Sequence, residues 1–383
     1  MKGKYFLLAL SAMALVTGCS NDETIEMNQG DGIDFSVTAG KLTRAEATTT
    51  SSIDEFTVWA FTGTPTQKYM DGITVNKTDG KWTYSGTKFW PETAVDFYAV
   101  SPAKPESGTV TNSTSEHKIT NYTANGSEDL LYATNIRETK DAHKNNPVSV
   151  NFRHALSQIV FKVQKTATSS INVSVQSIKV DGVANTSTLA WAKATTGTSP
   201  LAEGSVDTET GDSWGKWDTP TGETQYTAID LTEAYTVTTT ASYLTNEEGY
   251  GALFLMPQIL NPWLTIGSDG TTTISGKARL LINCKITDET SGIQLWPKTG
   301  EYGEVAISLT NPKEDPNKTD ADNHARWMQG KKYIYTLIFG EGGGYKPEPD
   351  PDDPDKPEPV LVPITFNVTV DAFQDGGSYN FDM

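Results

Sequence analysis

Glu55-Phe56-Thr57-Val58-Trp59-Ala60-Phe61 sets Phe56, Val58 and Ala60 on one side of an extended chain and Thr57 and Trp59 on the other. Side chains that alternate with period two mark a half-buried β-strand. The same reading extends outward in both directions. Ala94 to Val100, Val148 to Phe152, Ile159 to Val163 and Ile171 to Val175 are short, β-branched or aromatic, and mostly alternating. Later come Ala252 to Met256, Trp263 to Ile266, Arg279 to Ile286, Val305 to Leu309 and Tyr333 to Phe339, separated by Gly, Asn, Asp, Thr and Pro. No window carries a helical pattern of comparable length. Many short strands punctuated by turn signals predict an all-β chain of antiparallel β-sandwiches.

Composition agrees. The chain has 383 residues, 36% hydrophobic and 20% charged, with 32 Gly, 19 Pro and abundant aromatic residues, a globular and β-leaning mixture. Thirty Lys and Arg against 48 Asp and Glu give a net charge of −18, which argues against nucleic acid or an anionic lipid surface as a partner. Cys19 and Cys284 are the two cysteines. The first sits at the end of an export signal, so a disulfide framework within one mature chain is not expected.

Lys2 and Lys4 precede the apolar run Tyr5 to Val16, which exits through Thr17-Gly18-Cys19. A charged start, a short apolar stretch and small residues at the exit make a signal peptide over residues 1–18. The run is shorter than the ~20 apolar residues a membrane-spanning helix needs. Val16-Thr17-Gly18-Cys19 resembles a lipobox, which implies acylation of Cys19 and a membrane anchor. The acidic Ser20-Asn21-Asp22-Glu23 that follows resembles signals sending lipoproteins to the outer face of the outer membrane. Removal of Lys2 and Lys4 makes the mature chain still more acidic.

Thr166 to Ser170 is a polar interval, and a boundary near residue 168 predicts one sandwich over 45–167 and a second over 168–340. The Thr- and Gly-rich stretch from Val183 to Ser242, with Trp191, Trp214 and Trp217, reads as long loops on the second sandwich. Residues 341–363 carry Pro347, Pro349, Pro351, Pro354, Pro357, Pro359 and Pro363 among acidic residues. Such a stretch is expected to be a stiff polyproline II spacer of ~40 Å from Pro347 to Pro359. A single strand over Ile364 to Val370 follows within the terminal segment 364–383.

The first and last strands share a register. Ile33-Asp34-Phe35-Ser36-Val37-Thr38 and Ile364-Thr365-Phe366-Asn367-Val368-Thr369 both read Ile-x-Phe-x-Val-Thr, so they present the same knobs to a groove. After the first copy comes Leu42-Thr43-Arg44-Ala45 and a soft run of small polar residues, where a trypsin-like protease would cut between Arg44 and Ala45. Such a cut would release 19–44 as a propeptide and vacate the place of Ile33, Phe35 and Val37. A neighbouring subunit's Ile364, Phe366, Val368 and Val370 could then fill it by donor-strand complementation, a head-to-tail contact that builds a filament. Periodicity does not say which chain a strand pairs with, so pairing of both strands within their own chain is the other reading.

Catalytic and metal motifs are not found. His117, His143, His154 and His324 lie singly without zinc spacing, and His154 with Ser157 lacks a nucleophile elbow. Gly342-Gly343-Gly344 precedes no helix, and Asp320, Asp322, Asp350, Asp352, Asp353 and Asp355 lack the pattern of a calcium loop. No enzyme activity, cofactor or metal is expected, and Cys284 reads as a buried apolar residue.

Together with the lipobox and Thr43-Arg44-Ala45, several pieces in order resemble the fimbrillin-like lipoproteins, subunits of type V pili. They are Phe56 to Phe61, Phe89-Trp90-Pro91 with Val95 to Pro102, Asp129 to Tyr132, Val150 to Phe161, Leu255 to Gln258 and Gly330 to Tyr335. The resemblance implies two tandem transthyretin-like sandwiches, an arginine-specific protease cutting after Arg44, and polymerisation by strand exchange with other fimbrial subunits at the cell surface. The rival expectation is a monomeric surface glycan-binding or adhesin lipoprotein whose Trp82, Trp214, Trp217 and Trp263 form stacking platforms.

Overall fold

The computed structural model describes residues 32–39, 53–144, 146–195, 214–245, 251–310, 325–340, 344–360 and 364–372. Every regular element among them is a strand. The first sheet runs in the order β1 (Phe35–Ala39), β9 (Val148–His154), β8 (Leu131–Glu138), β5 (Val95–Ser101), β2 (Glu55–Thr62), β3 (Gln67–Thr78) and β4 (Lys81–Tyr84). Its pairs are antiparallel except β1 with β9, which run parallel. Period two fixes its inner face. Phe56, Val58 and Ala60 of β2, Val95, Phe97 and Ala99 of β5, and Val148, Val150 and Phe152 of β9 form one buried cluster. Each valine and phenylalanine among them contributes about 1.5–3 kcal/mol by leaving water. The sheet curls around this cluster until its outermost strands meet, the Tyr84 hydroxyl of β4 donating to the Ile33 carbonyl just before β1 at 2.7 Å.

The outer face of the same sheet is covered by a second one, β13 (Lys216–Trp217), β12 (Thr186–Ala190), β7 (His117–Thr123) and β6 (Thr109–Asn112). Between them lie Tyr132, Val100, Ile119, Tyr122, Leu189 and Trp217. At the rim the His117 ring stacks on Tyr98 at 3.6 Å, with Phe61 edge-on and Asn112 bonded to Nδ1. Burial holds this imidazole below its ordinary range, against a smaller opposing pull from Asp96. A lowered pKa means the neutral ring is favoured on folding. Its stabilisation is therefore present above the ordinary histidine value of ~6.5 and is lost as the pH falls through the lowered one. Acidification should depress the melting temperature of the wild type more than that of His117→Phe, which keeps the stack but cannot titrate. Equal depression in thermal melts at neutral and acid pH would refute the assignment.

Two further sheets face each other around the largest core. One is β15 (Ser242–Tyr243), β10 (Ser157–Lys165), β24 (Lys331–Phe339) and β25 (Ile364–Ala372), with β16 (Leu253–Leu255) also on β10. The other is β14 (Thr224–Thr236), β11 (Ile171–Val183), β20 (Arg279–Asp288) and β21 (Gln294–Trp296), with β22 (Gly303–Ser308) on β20. Ile159, Phe161 and Val163 from the first meet Val173, Val175 and Ile282 from the second. Cys284 lies fully buried in this core, and desolvation pushes its thiol up to about 12. Small ladders join β17 (Gln258–Ile259) to β23 (Arg326–Trp327) and β18 (Leu264–Ile266) to β19 (Thr272–Ile274).

Strand pairing crosses residue 168 in both directions. Strand β10, which precedes it, pairs in parallel with β24 from Gln158 to Lys165. Strand β12, which follows it, pairs with β7. The step from one body to the other falls at Ala155-Leu156, both at 0% exposure. A buried link carries no polar signal, whereas Thr166 to Ser169 is only a turn within the second body. The described residues between Val183 and Ser242 are likewise not a set of loops decorating the second sandwich. They supply two strands of the cover on the first body and the long edge strand β14. The junction is tied by Tyr132, whose hydroxyl accepts from Gly215 N at 2.6 Å, while Gln329 Nε2 donates to the Gly215 carbonyl at 2.6 Å. Trp217 Nε1 donates to the Ala155 carbonyl at 2.7 Å.

The proline-rich stretch is not an extended spacer. Residues 344–360 double back, Tyr345 pairing with Pro359 and Asp350 with Asp353. The reason lies between the prolines, where Lys346, Asp350, Asp353, Lys356 and Val360 still have N–H groups and donate them to carbonyls. Lys346 and Glu358 close the base as an ion pair.

Candidate assembly site

The seat of β1 is built from three sides. Along one edge its backbone follows β9 from Phe35 opposite Val148 to Ala39 opposite Phe152. Asp34 contributes as well, its carbonyl accepting from Val148 N at 2.7 Å. On the other edge Ile33 N donates to the Lys88 carbonyl at 2.8 Å, and Gly32 bridges Phe89. The floor is aromatic: the Phe35 ring meets Phe56 and Phe97 edge-on at 5.9 and 5.6 Å and Tyr84 at 5.7 Å. Ile33 is 0% and Phe35 4% exposed, Val37 is half-buried against the same core, and Asp34 between them faces solvent. Burial raises the Tyr84 phenol above its ordinary value, so it stays protonated and keeps its hydrogen bond to the Ile33 carbonyl. Strand β1 thus completes a core while joined to it on one side by a single five-residue ladder.

Strand β25 lies elsewhere, antiparallel along β24 from Ile364 opposite Phe339 to Ala372 opposite Lys331, at the edge of its sheet. Phe366 stands opposite Leu337 and Val370 opposite Tyr333. Val368 is fully buried in the large core. The two like-patterned strands therefore occupy edge positions in different sheets of one chain and are not brought together. Cys19, Arg44 and Ala45 lie outside the described residues. Tyr84 and the Lys88 carbonyl were not singled out from the sequence. Tyr84 lies in a short strand, and nothing in its spacing reports that the sheet curls back to β1.

Other arrangements do not converge on chemistry. His154 Nδ1 is 3.0 Å from the Asp129 carboxylate, but the Ser157 hydroxyl donates away from it to the Met328 carbonyl at 2.8 Å. Among the described residues no group of three or more His, Cys, Asp or Glu is placed to hold a metal ion. Trp214, Trp217 and Trp263 are 7%, 1% and 3% exposed, and Trp82 packs on Phe56 at 5.2 Å. Three of the four tryptophans expected as sugar platforms are therefore core residues, because the apolar area of a tryptophan is worth more between sheets than on them.

Residues 43–259, just over half of the chain, match the fimbrillin-like family. No curated protein matches. Among solved structures the chain is similar to a fimbrial protein from Bacteroides vulgatus, with 16% identity and a TM-score of 0.53, covering 90% of this chain and 100% of the other. It is also similar to a candidate cell adhesion protein from Bacteroides uniformis, at 13% identity, TM-score 0.43 and 90% and 100% coverage. A third is a fimbrial assembly protein from Parabacteroides distasonis, at 10% identity, TM-score 0.37 and 91% and 98% coverage. At these identities the first supports the fold.

Proposed function

From the premise that the chain belongs to the fimbrillin-like family, we propose that it is a structural subunit of a cell-surface fimbria that contributes to adhesion. In this reading the chain comprises two tandem transthyretin-like sandwiches and is exported as a lipoprotein held in the outer membrane through Cys19. An arginine-specific protease cuts between Arg44 and Ala45, and subunits then join by donor-strand exchange. The observation that carries the reading is the seat of β1, where Ile33 and Phe35 are buried in the same core as Ile53 and the strands that follow it. A cut after Arg44 frees that strand covalently from the body it completes. Its departure exposes the aromatic floor of Phe56, Tyr84 and Phe97, and apolar surface of that kind drives association.

The occupant supplied by a neighbour is β25. Ile364, Phe366 and Val368 repeat Ile33, Phe35 and Val37 in spacing and type, so Phe366 takes the place of Phe35. Because donor and acceptor are different surfaces, the contact does not close on itself and the product is linear.

The test is digestion of the purified, unlipidated chain with an arginine-specific protease, read by intact mass and size-exclusion chromatography, beside a truncation lacking residues 362–383. The expected result is a single cut after Arg44 and ladders from the full chain alone. A protein that is cut and stays monomeric would overturn strand exchange.

A further inference from the structure

We infer that the hairpin of residues 344–360 is a folded tether whose docking sets how far β25 can travel to a second copy of this chain. The inference rests on the strand-exchange reading above. The chain leaves β24 at Phe339 and resumes pairing at Ile364, which stands opposite that same Phe339. The whole excursion between them is therefore a loop inserted into one strand pair, and it spans no distance.

The hairpin is not loose. Tyr345 and Ala306 of β22 exchange both backbone hydrogen bonds, at 2.7 and 2.9 Å, so the hairpin adds a rung to the far sheet. The Tyr345 ring lies edge-on to Trp263 at 6.2 Å within a small separate core. Arg279 Nη1 donates to the Pro347 carbonyl at 2.9 Å, its Nε bonds Asp181 at 2.9 Å, and its guanidinium lies over Trp263 at 5.4 Å. Ile274 N donates to the Asp355 carbonyl at 2.9 Å, and Val360 enters the large core.

Docked, the hairpin leaves only residues 361–363 between the anchored Val360 and the start of β25, a reach on the order of 10 Å. A neighbour's seat would have to lie almost against this sandwich to be entered. Undocked, residues 341–363 extend to the order of 75 Å. Six carboxylates and two lysines occupy 344–360, so backbone bonds, Arg279 and the packing of Tyr345 and Val360 hold the hairpin against its own charge repulsion.

Tyr345 and Pro359 offer a lock. They face each other between the bonds from Lys346 N to the Glu358 carbonyl and from Val360 N to the Gly344 carbonyl, and residues so placed in an antiparallel pair stand ~4.5 Å apart at Cα, within disulfide range. Bridging them keeps the hairpin closed and cuts the undocked reach to the order of 35 Å. The full unlipidated chain carrying Tyr345→Cys and Pro359→Cys is to be oxidised, with bridge formation followed by thiol titration, and then cut after Arg44. Ladders should form at least tenfold more slowly than from the same protein reduced, and reductant should restore the rate. Equal rates in the two forms overturn the tether and leave strand exchange standing. Wild type that is cut yet never forms ladders overturns strand exchange and the tether with it. Should the double variant misfold, Arg279→Ala tests the opposite sign, with ladders several-fold faster than wild type. An unchanged rate there overturns the inference equally.

Discussion

Replacing Phe35 with alanine will cost the uncleaved chain about 3–5 kcal/mol of stability, the range for removing a buried phenylalanine ring. The ring touches Phe56, Tyr84 and Phe97 from β2, β4 and β5 at once. Its loss leaves a cavity that close-packed aromatic rings cannot collapse to fill. With native domains typically stable by about 5–15 kcal/mol, such a change is a large fraction of the whole. Urea unfolding of the intact chain, followed by tryptophan fluorescence, measures it. The same substitution should be nearly silent once the chain has been cut and joined to a neighbour, because the altered strand has left. A loss below about 1 kcal/mol in the intact chain would mean that β1 lies on the core without closing it.

Val368→Asp will abolish ladders while leaving the cut after Arg44 intact. Val368 is fully buried in the large core, and placing an unpaired carboxylate there costs several kcal/mol. Strand β25 then leaves β24, which would favour its delivery to a neighbour if release alone were limiting. In the neighbour the same carboxylate falls where Val37 packs half-buried on the aromatic core, which opposes insertion, so release and insertion are separated. Hydrogen exchange at Tyr333 to Leu337 of β24 should rise, and chromatography should show monomer only. Ladders at the wild-type rate would remove β25 as the donor.

Much of the fold is legible because alternation reports which face of a strand is buried. Phe56, Val58 and Ala60, or Val148, Val150 and Phe152, fall on the inner face as their spacing requires. Alternation carries no information on partners, so neither the parallel pairing of β1 with β9 nor that of β10 with β24 could be read. The step between bodies is hidden for a related reason: Ala155 and Leu156 are apolar like the strands they connect, because they too are buried. The hairpin was missed because proline fixes its own φ but leaves its neighbours free to bond. Lys346, Asp350 and Val360 donate where an isolated polyproline helix would leave them to water. The tryptophans mislead in the same way, since a sequence gives their number but not their side of the sheet.

The return of the chain to its first body has a consequence for the order in which the molecule can be completed. The cover over Tyr122 and Tyr132 is not finished until β12 and Trp217 arrive, well after the second body has begun at Ser157. A chain emerging amino terminus first must hold that aromatic face open while later residues are still being made. Its two halves consequently mature together, and no stage exists at which the first is finished and the second not yet begun.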